Sequence, residues 1–120
     1  MTKLTVYRGE AKVWTFTATN NGAALDLTGA AIYFAARLNY PAGTVTSDAD
    51  ASIALSTVSG IALTTPASGI FTVTLTKANT NSLTPAVYQY GIEAVLLGAT
   101  DPVVLGVGEL EILSDVVRAV

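Results

Sequence analysis

The clearest pattern in the chain is the alternation of apolar and polar residues between Gly69 and Glu93. Phe71, Val73 and Leu75 share one side of an extended chain, and threonines occupy the other side. This period of two, in β-branched and aromatic residues, is typical of a half-buried β-strand. After a polar corner the alternation resumes and predicts a second strand with four core-facing residues: Tyr88, Tyr90, Ile92 and Ala94.

The corner between these two strands is polar and too long for a tight hairpin. It contains Thr80-x-x-Leu83, which predicts at most one short helical turn near residues 77–84. A corner of this kind usually carries the chain from one sheet of a β-sandwich to the other. The stretch is therefore informative about architecture before it is informative about function.

Alternation and turn residues predict further strands along the rest of the chain. They cover Lys3–Tyr7, Lys12–Thr19, Ala30–Leu38, Ile53–Leu55, Gly60–Thr64 and Val103–Leu113. Asn20-Asn21-Gly22 predicts a type I′ turn, because asparagine and glycine tolerate positive φ angles. In the last strand the apolar side changes, which predicts a β-bulge near Gly106 or Gly108. We expect Trp14, the only tryptophan, to anchor the core.

These elements predict an all-β fold with one domain over residues 1–120. Seven to nine antiparallel strands with regularly spaced turns are typical of an immunoglobulin-like β-sandwich. The Cys…Trp…Cys hallmark of antibody domains is missing, because the chain has no cysteine.

Composition narrows the possible chemistry. The absence of cysteine excludes disulfides and thiolate metal sites, and the absence of histidine removes the commonest general base. A net charge of −3 with scattered basic residues argues against nucleic acid as a partner. No apolar run approaches the roughly 18 residues of a membrane span, and the first residues do not have the pattern of a signal peptide.

The charged fraction is unusually low. It is 12%, and the hydrophobic fraction is 51%, whereas about 25% of residues are charged in an ordinary soluble domain. Two explanations fit this composition. The surface is either neutral but hydrated, rich in threonine, serine and alanine, or it is largely covered by neighbouring subunits.

The longest loop-like segment, residues 39–52, is the candidate ligand-binding segment, since long loops on a rigid scaffold often carry binding. Its candidate binding residues are Tyr40, Thr44, Asp48 and Asp50. Asp48, Asp50 and Ser52 also resemble the opening of an EF-hand calcium loop. Ile53 and Ser59 stand where that loop needs glycine and glutamate, so a solvated acidic loop is the favoured interpretation and no metal is expected.

No motif predicts catalysis. There is no nucleophile elbow, phosphate-binding loop or dinucleotide fingerprint, and Gly106-Val-Gly108 precedes a strand between hydrophobic residues. Glu109 and Glu111 lie on one strand face, where paired acids are more often solvated surface than glycosidase carboxylates. We therefore expect no enzymatic activity, no catalytic residue and no cofactor.

Several segments together resemble one known group of domains. They are Leu25-Asp26-Leu27-Thr28-Gly29-Ala30 before a strand, Gly69-Ile-Phe-Thr-Val-Thr-Leu-Thr, and Leu83-x-Pro-x-x-Tyr88-x-Tyr90. This order is similar to the immunoglobulin-like domains of tailed-bacteriophage tail and baseplate proteins, such as the N-terminal domain of the lactococcal phage upper baseplate protein. Ala86 stands where that family usually has glycine.

The resemblance implies a virion structural protein of the tail, baseplate or head–tail region that is made in the host cytoplasm. Its partners would be other virion proteins and further copies of itself in a symmetric oligomer. A capsid decoration protein, located on the capsid surface, is the alternative within this class. A carbohydrate-binding module that uses the 39–52 loop and Tyr40 is the alternative from another class.

Overall fold

The structure is a computed structural model that describes residues 3–38 and 52–114. Within these ranges the chain is mostly β, with one single-turn α-helix, α1 (Lys77–Thr80), and a 3-10 turn at Pro66–Ser68. The strands are β1 (Leu4–Tyr7), β2 (Lys12–Thr17), β3 (Thr19–Asn20), β4 (Ala23–Ala24), β5 (Ala31–Arg37), β6 (Ile53–Ser56), β7 (Ile61–Thr65), β8 (Ile70–Leu75), β9 (Ala86–Val95) and β10 (Val103–Leu113).

The ten strands form two main sheets and one small hairpin. The large sheet has the order β1-β10-β9-β5-β6, the small sheet has the order β2-β8-β7, and β3 pairs with β4. Ten strands exceed the expected seven to nine, and the excess is the hairpin, whose strands have only two residues each. The described residues are mostly β, which agrees with the predicted all-β fold, and α1 is the helical turn predicted near residues 77–84. The 3-10 turn at Pro66–Ser68 is a second helical turn, so the prediction of at most one is wrong.

One pairing differs from the predicted antiparallel arrangement. β1 pairs in parallel with β10, from Leu4 opposite Leu110 to Tyr7 opposite Leu113. The prediction of exclusively antiparallel strands is therefore wrong at this edge of the large sheet. The physical reason is that β1 has no hairpin partner: the chain leaves it for the small sheet, and its neighbour is the last strand, which runs in the same direction.

The core is one hydrophobic cluster to which both main sheets contribute. Phe71, Val73 and Leu75 of β8 are buried, as are the four predicted core residues of β9. Two aromatic pairs stack within or beside the cluster, Phe34 with Tyr90 and Phe16 with Phe71, each with ring centroids 5.5 Å apart. The alternation in the sequence therefore correctly identified the buried side of the two central strands.

Trp14 lies at the margin of this core. It is only partly buried and packs against the cluster from β2, an edge strand of the small sheet. The largest fully buried side chains are Tyr88, Phe34 and Phe71. The expectation that Trp14 is the core anchor is therefore met only in part, because an edge strand leaves its side chain open to solvent on one side.

The corner after β8 connects the two main sheets, as predicted, and α1 lies within it. Thr80, at the end of α1, is fully buried, and its Oγ1 accepts a hydrogen bond from the backbone N–H of Gly9 at 2.9 Å. The hydroxyl of Tyr88 donates to the backbone carbonyl oxygen of Thr84 at 2.8 Å. These two hydrogen bonds hold the corner against the connection between β1 and β2 and against the start of β9.

Two predicted backbone irregularities are confirmed. Asn21 and Gly22 have φ angles of 53° and 80° between β3 and β4, as a type I′ turn requires. In β10 the register with β9 shifts between Val104 and Gly106, so that Leu105 forms a bulge.

Gly69, directly before β8, provides a test of how closely the backbone packs at the start of this strand. It has a φ of 74°, and a Cβ there would overlap the carbonyl oxygen of Ala18 and lie 2.8 Å from that of Leu25. We expect Gly69→Ala to lower the free energy of unfolding in urea by more than about 2 kcal/mol, since backbone atoms must move. Gly22→Ala is the matched control, because its φ is 80° but no atom lies within 4 Å, which leaves a backbone cost of about 1 kcal/mol. Equal losses in the two variants would contradict this packing.

The buried tyrosines predict a loss of stability at high pH. Burial raises the pKa of Tyr88 and of Tyr90 above the ordinary tyrosine value. The unfolded chain therefore ionises first, near pH ~10, and the stabilisation that is complete below this pH is lost as the pH rises further. We expect urea unfolding to give a constant free energy up to about pH 9 and a falling one above about pH 10. Tyr88→Phe should make the fall shallower, and an unchanged slope in that variant would contradict the assignment.

Candidate protein-binding face

The surface of the large sheet that points away from the core is the candidate site, and we call it the outer face. Since alternate side chains of a strand point to opposite sides, the residues between the buried ones form it. Its described members on the three central strands are Ala31, Tyr33, Ala35, Arg37, Val87, Gln89, Gly91, Glu93, Val95, Val104, Val107, Glu109 and Glu111.

A shallow depression of about 410 Å³ lies at the middle of the outer face. Ala35 of β5 and Gly91 of β9 stand opposite each other in register and form its floor. A Cβ at Gly91 would meet nothing closer than Val107 Cγ1 at 3.7 Å, so the depression is open above this glycine. Small residues on two adjacent strands therefore create the concavity.

Three exposed apolar side chains stand at the rim of the depression, together with the polar side chains of Arg37, Gln89 and Glu93. Val104 is 60% exposed and Val107 is 64% exposed, and Tyr33 on the opposite side is 42% exposed. The bulge at Leu105 brings both valines to the outer face, because Val104 pairs with Glu93 and Val107 pairs with Gly91. Without the extra residue, positions three apart would lie on opposite sides of the strand.

Two opposite charges flank the floor of the depression. Arg37 is in register with Gln89, two positions beyond the Ala35–Gly91 pair, and Glu93 is in register with Tyr33, two positions before it. The two charged rows are thus four residues apart, about 13 Å along the strands. Elsewhere on this sheet Lys3 and Glu111 form a salt bridge of 3.0 Å at the β1 edge.

Most of the site residues predicted from the sequence are not among the described residues. Tyr40, Thr44, Asp48 and Asp50 lie outside the described residues. Ser52 is exposed, and its backbone N–H donates to the carbonyl oxygen of Ala36 at 2.9 Å. Within residues 3–38 and 52–114, no group of three or more acidic side chains is placed to hold a metal ion.

The outer face itself was missed in the sequence, although signals for it are present. The apolar residues on the glutamate side of β10 and the glycine in the middle of β9 both mark it. From the sequence alone they indicate a bulge and part of a strand, and not a shared face. Sequence alone does not place Tyr33 on the same face as the valines of β10, since that requires the order of the strands.

Neither the helices of the described residues nor a comparison with known proteins adds to the description of the site. In the part of the chain that the structure describes, no helix is long and apolar enough to cross a membrane. No protein-family model, curated protein or solved structure matches the chain.

Proposed function

We propose that this chain is a non-enzymatic structural protein that works by binding neighbouring protein subunits. The observation that carries the proposal is the outer face, where exposed Tyr33, Val104 and Val107 surround a floor of small residues. Exposed apolar side chains grouped on one face of a sheet are typical of a protein–protein contact. The low charged fraction of 12% agrees with a surface that subunits cover.

We infer that the two main sheets form an immunoglobulin-like β-sandwich. The order β10-β9-β5-β6 corresponds to strands G, F, C and C′ of a variable-type domain, and β2-β8-β7 corresponds to B, E and D. The hydrogen bond from the Tyr88 hydroxyl to Thr84, near the start of β9, has the form of the tyrosine corner of such domains. The shared hydrophobic cluster supports facing sheets.

The virion assignment is proposed on the resemblance of the Leu25–Ala30 and Leu83–Tyr90 segments to tailed-phage domains. It makes the partners other virion proteins of the tail, baseplate or head–tail region, together with copies of this chain. The protein would be made in the host cytoplasm and reside in the virion. A capsid decoration protein would use the same physical mechanism, in which symmetric repetition adds weak contacts into a stable assembly.

A carbohydrate-binding module is the second candidate, and two aromatic residues favour it. Tyr40 belongs to the 39–52 segment, and Tyr33 is exposed on the outer face beside Glu93, its register partner on β9. An exposed tyrosine beside a carboxylate is suited to stack on a sugar ring and to accept hydrogen bonds from its hydroxyls. Such a module functions as a monomer.

Size-exclusion chromatography with light scattering distinguishes the two candidates. We expect an oligomer with a mass of at least twice 12.3 kDa from micromolar to millimolar concentration. We also expect a thermal midpoint that a panel of soluble glycans does not change. A strict monomer whose midpoint rises with a glycan would contradict the assembly role and support the module.

A further inference from the structure

We propose that the outer face binds the outer face of a second copy of this chain in a two-fold symmetric dimer. The inference rests on the proposed assembly function and adds the partner and the surface. It concerns the depression on β5, β9 and β10, described above.

Charge complementarity points to a second copy as the occupant. Arg37 and Glu93 lie on adjacent strands at equal register distance on either side of the Ala35–Gly91 pair. A two-fold axis that lies in the plane of the interface and crosses the sheet at this pair brings the Arg37 position of one copy opposite the Glu93 position of the other. Arg37 of each copy then faces Glu93 of the other, and two ion pairs form from one arrangement of charges.

Such a pairing is specific to an identical partner. A two-fold contact must be self-complementary, and a face that carried only acidic or only basic groups would repel its own copy. Arg37 has five N–H donors, so it can bind a carboxylate of the partner and also keep a contact within its own chain.

The shape of the outer face agrees with this axis. Ala35 and Gly91 at the centre allow close approach of two sheets, which pack about 10 Å apart when ordinary side chains lie between them. Tyr33, Val104 and Val107 project around the centre and are the residues that the contact would remove from water. Arg37 and Glu93 lie on either side of the small central residues, and Glu93 stands between Tyr33 and Val104 in the register of the sheet.

Charge reversal tests the pairing directly. Arg37→Glu and Glu93→Arg each create like charges at both symmetric contacts, whereas the double variant Arg37→Glu/Glu93→Arg restores opposite charges. Lys77→Glu and Asp101→Arg are the matched controls, since they make the same charge changes on α1 and in the loop before β10, outside the outer face. Circular dichroism and thermal midpoints establish that each variant is folded before its dimerisation is measured by analytical ultracentrifugation.

We expect each single reversal to weaken dimerisation roughly tenfold or more, the double variant to return to within a few-fold of the wild type, and the controls to leave it unchanged. A wild-type oligomer that both single reversals leave intact would overturn this interface while the assembly function stands. Loss of dimerisation in the single variants without recovery in the folded double variant would also overturn it. A wild-type chain that is monomeric at every concentration would overturn both the interface and self-assembly.

Discussion

The alternation of side chains along β9 is the constraint on which the rest of the molecule depends. This strand lies between β5 and β10, and it supplies Tyr88, Tyr90 and Ile92 to the core from one side. From its other side it supplies Gly91 and Glu93 to the outer face. A shift of one residue in register would bury Glu93 and expose the tyrosines, so packing of the core also fixes the position of the proposed contact.

Two local features, a hydrogen bond and a β-bulge, determine how β9 meets its neighbouring elements. The Tyr88 hydroxyl bond to Thr84 holds the start of β9 against the corner that arrives from the small sheet. The bulge at Leu105 turns both Val104 and Val107 outward beside Gly91. The first feature stabilises the connection between sheets, and the second creates the apolar rim. A perfectly regular β10 would place one of the two valines toward the core.

Local pattern predicted much of the fold because a strand with one buried side has a readable period. The buried sides of β8 and β9, the turn at Asn21–Gly22 and the bulge followed from neighbouring residues alone. The parallel β1–β10 pair and the outer face did not, since both depend on which distant strands become neighbours. The partial exposure of Trp14 has the same origin, because the alternation in β2 does not indicate that it lies at a sheet edge.

A single-cysteine cross-link tests most directly whether two outer faces meet. The chain has no cysteine, so Ala35→Cys places one thiol at the centre of the proposed two-fold contact. At about 10 Å between packed sheets, a short bismaleimide reaches both thiols. We expect it to convert Ala35→Cys into a covalent dimer at concentrations where Val58→Cys, at a 94% exposed turn position, stays monomeric. Equal cross-linking of the two variants, or none in Ala35→Cys while the protein is dimeric, would contradict the account.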